Sequence, residues 1–339
     1  MTKRKIAVVL TNLGGPDSLD AVQPFLKNLF SDPAIIRLPA LLRLPLAKLI
    51  AKKRAPIARE IYQNMGGASP ILPNTQAQAQ ALEMALADLG EVKCFIAMRY
   101  WHPFASEVAE QIKAFAPEQI IEVPLYPQFS TSTTDSSHKD LQKALGKAYP
   151  VISTCCYFTD GGFIKAQAEK IRPYLQQAEQ SGYPVRLLLS AHGLPEKIIK
   201  AGDPYQFQCE QTAKAIIAEL GYEGDWLNSY QSRVGPLKWI GPSTEDEVER
   251  AGHDKVALIV VPIAFVSEHS ETLVELDIEY AELAHEKGVP YYGRVPTVGD
   301  HPAFIAGLAQ MVRQLAAGAQ GKRLCPQQFG SCACRGFDN

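Results

Sequence analysis

The sequence predicts an α/β protein built as two similar domains, each a four-stranded parallel sheet flanked by helices. Three observations carry this reading. Short runs rich in Val, Ile and Leu alternate with longer stretches of helical period, the signature of βα units. Eight such runs are present, four in each half of the chain. Polar, aromatic and histidine residues gather just after these runs, where ligands bind beyond the carboxyl ends of parallel strands.

The first-half strands are expected at residues 5–10, 92–97, 119–125 and 149–154, and the second-half strands at 185–190, 226–230, 255–261 and 290–295. Their near-continuous apolar character is that of parallel strands covered by helices on both faces. Helical periodicity places helices between them, including 74–89, 105–115, 162–180, 206–220, 271–286 and 302–316. The expected domains are residues 1–150 and 151–317, followed by an appended segment, 318–339, where composition breaks.

The 339 residues, 46% apolar and 21% charged, suit about two globular domains. With 34 Lys and Arg against 36 Asp and Glu, general attraction to nucleic acid is not expected. No run of about 18 apolar residues is present to span a bilayer. The apolar run 6–10 is too short for a signal-peptide core, so a cytoplasmic protein is expected.

The strand-end residues carry the chemistry. Gly14 and Gly15 follow the first strand without the spacing of a dinucleotide turn, and no P-loop lysine motif is present, so no nucleotide is expected. The pair reads either as a tight turn before Pro16 or as a close approach to a flat ligand. His192 ends an apolar strand among small residues, which would leave its ring open to accept a proton or bind a transition metal. Glu268, His269, Ser270 and Glu271 offer it partners, and Glu271, Glu275 and Glu279 recur every fourth residue.

Three like charges so spaced cost an isolated helix about 0.2 to 0.5 kcal/mol per pair, so a solvated acidic face competes with a path for cations. The row drifts by about 80° over eight residues at 3.6 residues per turn. A π-bulge would bring it into line. Imidazole and carboxylate together suit divalent iron.

Between residues 33 and 59 stand seven basic residues, Arg37, Arg43, Lys48, Lys52, Lys53, Arg54 and Arg59, and no acidic one. Interleaved Ile, Leu and Pro make this either a core-packed helix with snorkelling cations or a lip that touches anionic lipid and holds an amphiphilic acid. At the other end Cys325, Cys332 and Cys334 cluster within ten residues. Thiolates suit zinc or an iron–sulfur cluster, both usually with four protein ligands, and Cys155 or Cys156 could supply the fourth. Cys94 and Cys209 read as packing residues.

Several separate motifs together resemble the ferrochelatase family over about residues 5–315. They are LxNLGGP at 10–16, YxxxGGxSP at 62–70, YPQxS at 126–130, the His motif at 190–195, YQSxxGPxxWxGPxT at 230–244 and PIxFxSxHxETLxELDxEY at 262–280. The resemblance implies two Rossmann-like domains of the class II chelatase kind around a porphyrin cleft. It implies insertion of ferrous iron into protoporphyrin IX with release of two protons, a cobalt or coproporphyrin III chelatase or a tetrapyrrole carrier being the alternatives.

On this resemblance His192 is the catalytic histidine and Glu271 its partner, with His269, Glu275 and Glu279 completing the residues expected to meet metal. Leu13, Arg54, Tyr62, Ser69, Arg99, Tyr126 and Trp239 fall at positions similar to the family's porphyrin-lining residues. Residues 33–70 resemble the family's active-site lip, which implies peripheral contact with the inner membrane. The C-terminal cysteines resemble the bacterial form of a 2Fe-2S site. Animal relatives take one ligand near YPQxS, where this chain has Thr131, so the fourth ligand falls to Cys155 or Cys156.

Overall fold

The computed structural model describes residues 4–233, 235–319 and 323–334; of the appended segment 318–339, residues 320–322 and 335–339 lie outside the described residues. Contacts divide the chain into two units. One comprises Met1–Leu125, Ser130–Cys155 and Leu308–Gly321, the other Tyr126–Phe129, Cys156–Gly307 and Lys322–Asn339. A single cut near residue 150 therefore differs from the observed grouping. Residues 308–321 return to the first unit, and 126–129 and the cysteine-bearing end belong to the second.

In the first unit β1 (Lys5–Asn12), β2 (Glu91–Met98), β3 (Gln119–Pro124) and β4 (Val151–Ser153) form a parallel sheet in the order β2-β1-β3-β4. Central β1 is buried from Ile6 to Asn12, as a strand covered on both faces must be. Helices α1 (Val22–Phe30), α2 (Ala40–Gln63), α3 (Ile71–Ala85), α4 (Ala105–Phe115) and α5 (Thr134–Leu145) connect or cover it, with one 3-10 turn at Ala87–Leu89.

Most of the basic segment thus folds within helix α2, which packs one stripe inward and leaves several apolar side chains exposed. Ala47, Ala51, Ala55 and Tyr62 are buried, so one stripe packs inward. Leu41 (88% exposed), Leu42 (62%) and Ile57 (64%) face outward on the same helix.

The second unit repeats the pattern. Strands β5 (Val185–His192), β6 (Asp225–Gln231), β7 (Ala257–Pro262) and β8 (Tyr292–Arg294) are parallel in the order β6-β5-β7-β8. Helices α6 (Gly161–Glu179), α7 (Glu196–Lys200), α8 (Tyr205–Leu220) and α9 (Thr244–Asp254) follow in sequence, and α12 (Pro302–Ala316), the last helix among the described residues, begins in this unit and runs from Leu308 into residues grouped with the first. The stretch expected as one helix over 271–286 is three pieces: α10 (Ser270–Leu273), a π-helical turn (Glu275–Glu279) and α11 (Tyr280–Glu286). In each sheet the strand order reverses direction beside the first strand, at β1 and at β5, so β5 delivers His192 to a switch point.

The turn after β1 depends on glycine. Gly14 has φ +81°, and a Cβ there would stand 3.0 Å from the Cβ of Met98 and 3.2 Å from the Trp101 nitrogen. Gly14→Ala therefore combines a left-handed alanine with a backbone clash and should cost about 1–3 kcal/mol, read as a lower urea midpoint at unchanged m-value.

Candidate active site

The pairing of β5 with β6 sets His192 beside Gln231, both at the carboxyl ends of their strands. The His192 side chain is 37% exposed and that of Glu271 26%, and His192 Nδ1 lies 2.8 Å from Glu271 Oε2. A carboxylate can only accept here, so the proton of that bond sits on Nδ1, and neutral His192 presents its lone pair on Nε2. Gly193 lets the chain pack closely at this strand end: a Cβ there would meet the Gln231 carbonyl at 2.9 Å and the Trp239 ring at 3.3 Å.

Burial alone would lower the His192 pKa, but the charge and hydrogen bond of Glu271, with Glu275 behind it, outweigh burial and hold it above its ordinary value. Burial would raise Glu271; the His192 charge and bond, then His269 and Ser232, overcome this and bring it to about 2. Glu271 is therefore the fixed anion of the site. Glu275 is raised, first by burial and then by the neighbouring Glu271 charge, against hydrogen bonds from Ser232 and Gln231. His269 is held low by burial, against Glu271 and Glu268, and its Nδ1 is a buried atom with no hydrogen-bond partner among the described residues.

A buried polar frame fixes the acidic residues. Ser190 Oγ donates to Gln231 Oε1 at 2.8 Å, which turns the Gln231 amide nitrogen toward the Glu271 carbonyl (2.8 Å) and Glu275 Oε2 (3.1 Å). Ser232 adds its backbone N–H to Glu275 Oε1 at 2.8 Å and its hydroxyl to Glu275 Oε2 at 2.5 Å and Glu271 Oε2 at 3.4 Å. Ser232 reaches them from φ 62°, a conformation few non-glycine residues hold, and such strain collects at functional sites. Tyr280 completes the grip, donating to Glu275 Oε1 at 3.0 Å. Gln231, Ser232 and Tyr280 were absent from the sequence-predicted site, although all three lie inside the strand-end motifs.

The helix carrying the acidic row does widen into a π-helical turn over Glu275–Glu279, the Glu279 N–H reaching back five residues to the Val274 carbonyl at 2.9 Å. Glu275 and Glu279 then line one cavity of about 440 Å³, with Glu245, Glu282 and Glu286 farther along. Among the described residues, no group of three or more His, Cys, Asp or Glu side chains stands ready to hold a metal ion.

The other expected site residues divide between the units. In the first, Leu13 and Tyr62 share a cluster with Phe25 and Tyr100, Tyr62 being buried. Ser69 is buried against the glycine turn, its N–H donating to the Pro16 carbonyl at 2.8 Å. The Arg99 guanidinium is engaged within the unit, with Nη2 2.8 Å from Asp32 and Nε 2.8 Å from Ser136. Arg54 is exposed on α2 with its guanidinium 6.0 Å from the Phe30 ring. In the second unit Tyr126 and Trp239 are half-buried, and Trp239 Nε1 is enclosed without a hydrogen-bond partner among the described residues.

Within the second unit Cys325 meets Cys156 and Cys332, although these cysteines do not form a ready metal-holding group among the described residues. Cys325, Cys332 and Cys334 are buried, and Cys325 hydrogen-bonds with both Cys156 and Cys332. Its thiol is pushed up to about 12, the Cys156 bond lowering it and the Cys332 bond and burial together raising it further. Arg323 holds the cysteine loop, donating to the carbonyls of Cys325 (3.1 Å), Pro326 (3.1 Å) and Gln327 (3.0 Å). None of the seven cysteines is in a disulfide.

Two units, each a four-stranded parallel sheet flanked by helices, make up a two-domain chelatase fold. SirB from Bacillus subtilis with Fe3+ shares the fold, with a TM-score of 0.55 at 12% identity over 93% of this chain and 96% of that one. The ferrochelatase family profile matches residues 5–316. The ferrochelatase of Caulobacter vibrioides is 55% identical over 343 residues, and that of Phenylobacterium zucineum 54% over 340, covering 98% of each chain in both cases. The chain belongs to the ferrochelatase family, protohaem ferro-lyases that insert ferrous iron into protoporphyrin in the last step of haem synthesis.

If Glu271 sets the basicity of His192, Glu271→Gln removes the charge that offsets burial. The acidic limb of the kcat/KM–pH profile, on which His192 must lose its proton, should then move to lower pH than in wild type. A limb that stays in place would separate the two residues.

Proposed function

We propose that His192 Nε2 accepts a pyrrole proton as ferrous iron enters the porphyrin, with Glu271 holding the resulting imidazolium. The observation that carries this is the 2.8 Å bond at Nδ1, which leaves the lone pair on Nε2. A free porphyrin carries two N–H protons pointing into the hole that the metal must occupy, so each must be taken up by a base. A cleft that favours a bent macrocycle exposes the nitrogen lone pairs and disfavours the flat product, which is differential binding of the transition state.

Glu275 is suited to take the proton onward. Its raised pKa puts it nearer the working range than Glu271, and its carboxylate joins the inner frame to the acidic cavity that Glu279 also lines. The same carboxylates could meet the incoming iron, together with His269, Glu271 and His192. Trp239 offers an apolar wall beside Gly193, and Leu13, Tyr62, Ser69, Arg99 and Tyr126 are assigned to the porphyrin surface by their motif positions. Arg54, which among the described residues pairs with no carboxylate, suits a propionate.

His192→Ala should lower iron insertion about 10²- to 10⁴-fold in an anaerobic assay following porphyrin absorbance, with porphyrin affinity retained. Turnover at the wild-type rate would remove the assignment.

The sulfur site fits a 2Fe-2S cluster held by Cys325, Cys332, Cys334 and Cys156. Support comes from the donor chemistry: three buried sulfurs in a loop stapled by Arg323, with the half-buried Cys156 joined to Cys325, and Cys325 to Cys332, by hydrogen bonds. The bond between Cys156 and Cys325 favours Cys156 over Cys155 as the fourth ligand. A bound cluster would supply a one-electron centre and cross-link the C-terminal loop to the start of the unit. Cys156→Ser should lose the visible absorption and bound iron while Cys155→Ser keeps both; the reverse would exchange the assignment.

Helix α2 supports peripheral contact of a cytoplasmic enzyme with the inner membrane. Its exposed Leu41, Leu42 and Ile57 accompany exposed Lys52, Lys53 and Arg54, the pairing of apolar and basic surface that anionic interfaces bind. No described helix is long and apolar enough to cross a membrane. Double substitution of Leu41 and Leu42 by Asp should abolish co-sedimentation with anionic vesicles, and wild-type binding should weaken with salt.

A further inference from the structure

Gln208 lies on α8, is completely buried, and meets no residue of the His192 site among its recorded hydrogen bonds. Its side-chain amide is nonetheless fully used. The Phe129 backbone N–H stands 2.7 Å from Oε1, while Nε2 stands 3.0 Å from Cys325 Sγ and 3.5 Å from Cys156 Sγ. A backbone N–H can only donate, so the carbonyl end of the amide must face Phe129. The NH2 end is thereby fixed toward sulfur, and its two hydrogens face sulfurs 169 residues apart in sequence.

The surroundings keep the amide from turning over. One turn along α8, Thr212 Oγ1 accepts from Gln128 Nε2 at 2.9 Å and donates to the Phe158 carbonyl at 2.8 Å, so Gln128, the residue before the Phe129 N–H, is anchored to the same helix. The cysteine loop is docked beside it, with Ser331 N–H on the Gly202 carbonyl (3.1 Å) and the Phe329 ring 5.2 Å from Phe207.

An amide aimed by a donor at its far end is a poor match for neutral thiols, which need acceptors for their own protons. It matches sulfurs that carry negative charge, as metal-bound thiolates do. Phe129 also polarises the amide, strengthening both N–H groups as donors.

We infer that Gln208 is a positioning residue for a metal–sulfur group at Cys156 and Cys325, its two N–H···S hydrogen bonds stabilising the reduced state of that group. The inference rests on the cluster reading given above. Hydrogen bonds to cluster sulfurs are among the protein's means of setting a reduction potential, because they favour the form with more charge on sulfur.

The test uses the full chain, purified anaerobically and titrated with dithionite under EPR detection. Gln208→Met keeps the side-chain length and loses both donors. It should retain bound iron and sulfide yet shift the one-electron equilibrium about tenfold toward the oxidised cluster, about 59 mV lower in potential. Thr212→Val, which touches no sulfur, should keep the wild-type potential. An unchanged potential in Gln208→Met overturns the inference, whereas a wild-type chain that binds no cluster overturns the underlying cluster reading and the inference with it.

If Gln208→Met fails to fold or to load, the cluster-loaded chain with otherwise native Gln208 decides the matter. Labelled with ¹⁵N in glutamine side chains, and with exposed Gln327 and Gln328 replaced by Ala, it should give a ¹⁵N coupling to the reduced cluster in pulsed EPR. Absence of that coupling overturns the inference.

Discussion

In the function proposed above, the chemistry of the second unit depends on one hydrogen bond, that between His192 Nδ1 and Glu271. It does three things at once. It fixes the imidazole tautomer, it sets the basicity of the outward nitrogen, and it holds Glu271 ionised in a site whose burial would otherwise protonate it. The rest of the local structure keeps this bond in place. Strand β5 delivers the histidine, β6 delivers Gln231 and Ser232, and the broken helix after β7 delivers the carboxylates. Parallel strands suit the task because their carboxyl ends lie side by side while the segments that follow them remain free to diverge.

The two carboxylates nearest His192 have been pushed apart in acidity by their partners. Glu271 faces a cation and, against its burial, drops to about 2; Glu275 rises, first through burial and then through the Glu271 charge. Such a split suits the different work proposed for two residues of the same type, one a fixed counter-charge and the other a group able to carry a proton. Ser232 holds both from an unusual backbone conformation, which only a surrounding network of this density could maintain.

Most of the architecture was legible in the sequence. All eight strands fall where apolar runs predicted them, because in a parallel sheet covered on both faces the apolar run is the strand. The polar segments after the strands hold His192, and the every-fourth-residue spacing of Glu271, Glu275 and Glu279 stands out in the sequence itself. The π-helical turn was foreseeable only as a need, since the drift of Glu271, Glu275 and Glu279 required some extra residue in a turn without saying where. Helix α2 was ambiguous because its buried face is made of alanines, which leave little hydrophobic contrast along the helix. Gln231, Ser232 and Gln208 escaped notice for a common reason: uncharged polar side chains become informative only when the fold shows which donors and acceptors they meet. Arg99, a porphyrin-lining expectation, likewise reveals its commitment to Asp32 only in three dimensions.

The most direct measurement is the ¹⁵N NMR spectrum of the His192 ring in the iron-free protein, assigned by comparison with His192→Ala, above the pH at which the ring loses its charge. If Glu271 fixes the tautomer, Nδ1 should carry the proton and Nε2 should resonate as an unprotonated acceptor nitrogen. A ring protonated at Nε2 would leave no lone pair for the porphyrin proton and would contradict the role assigned to His192.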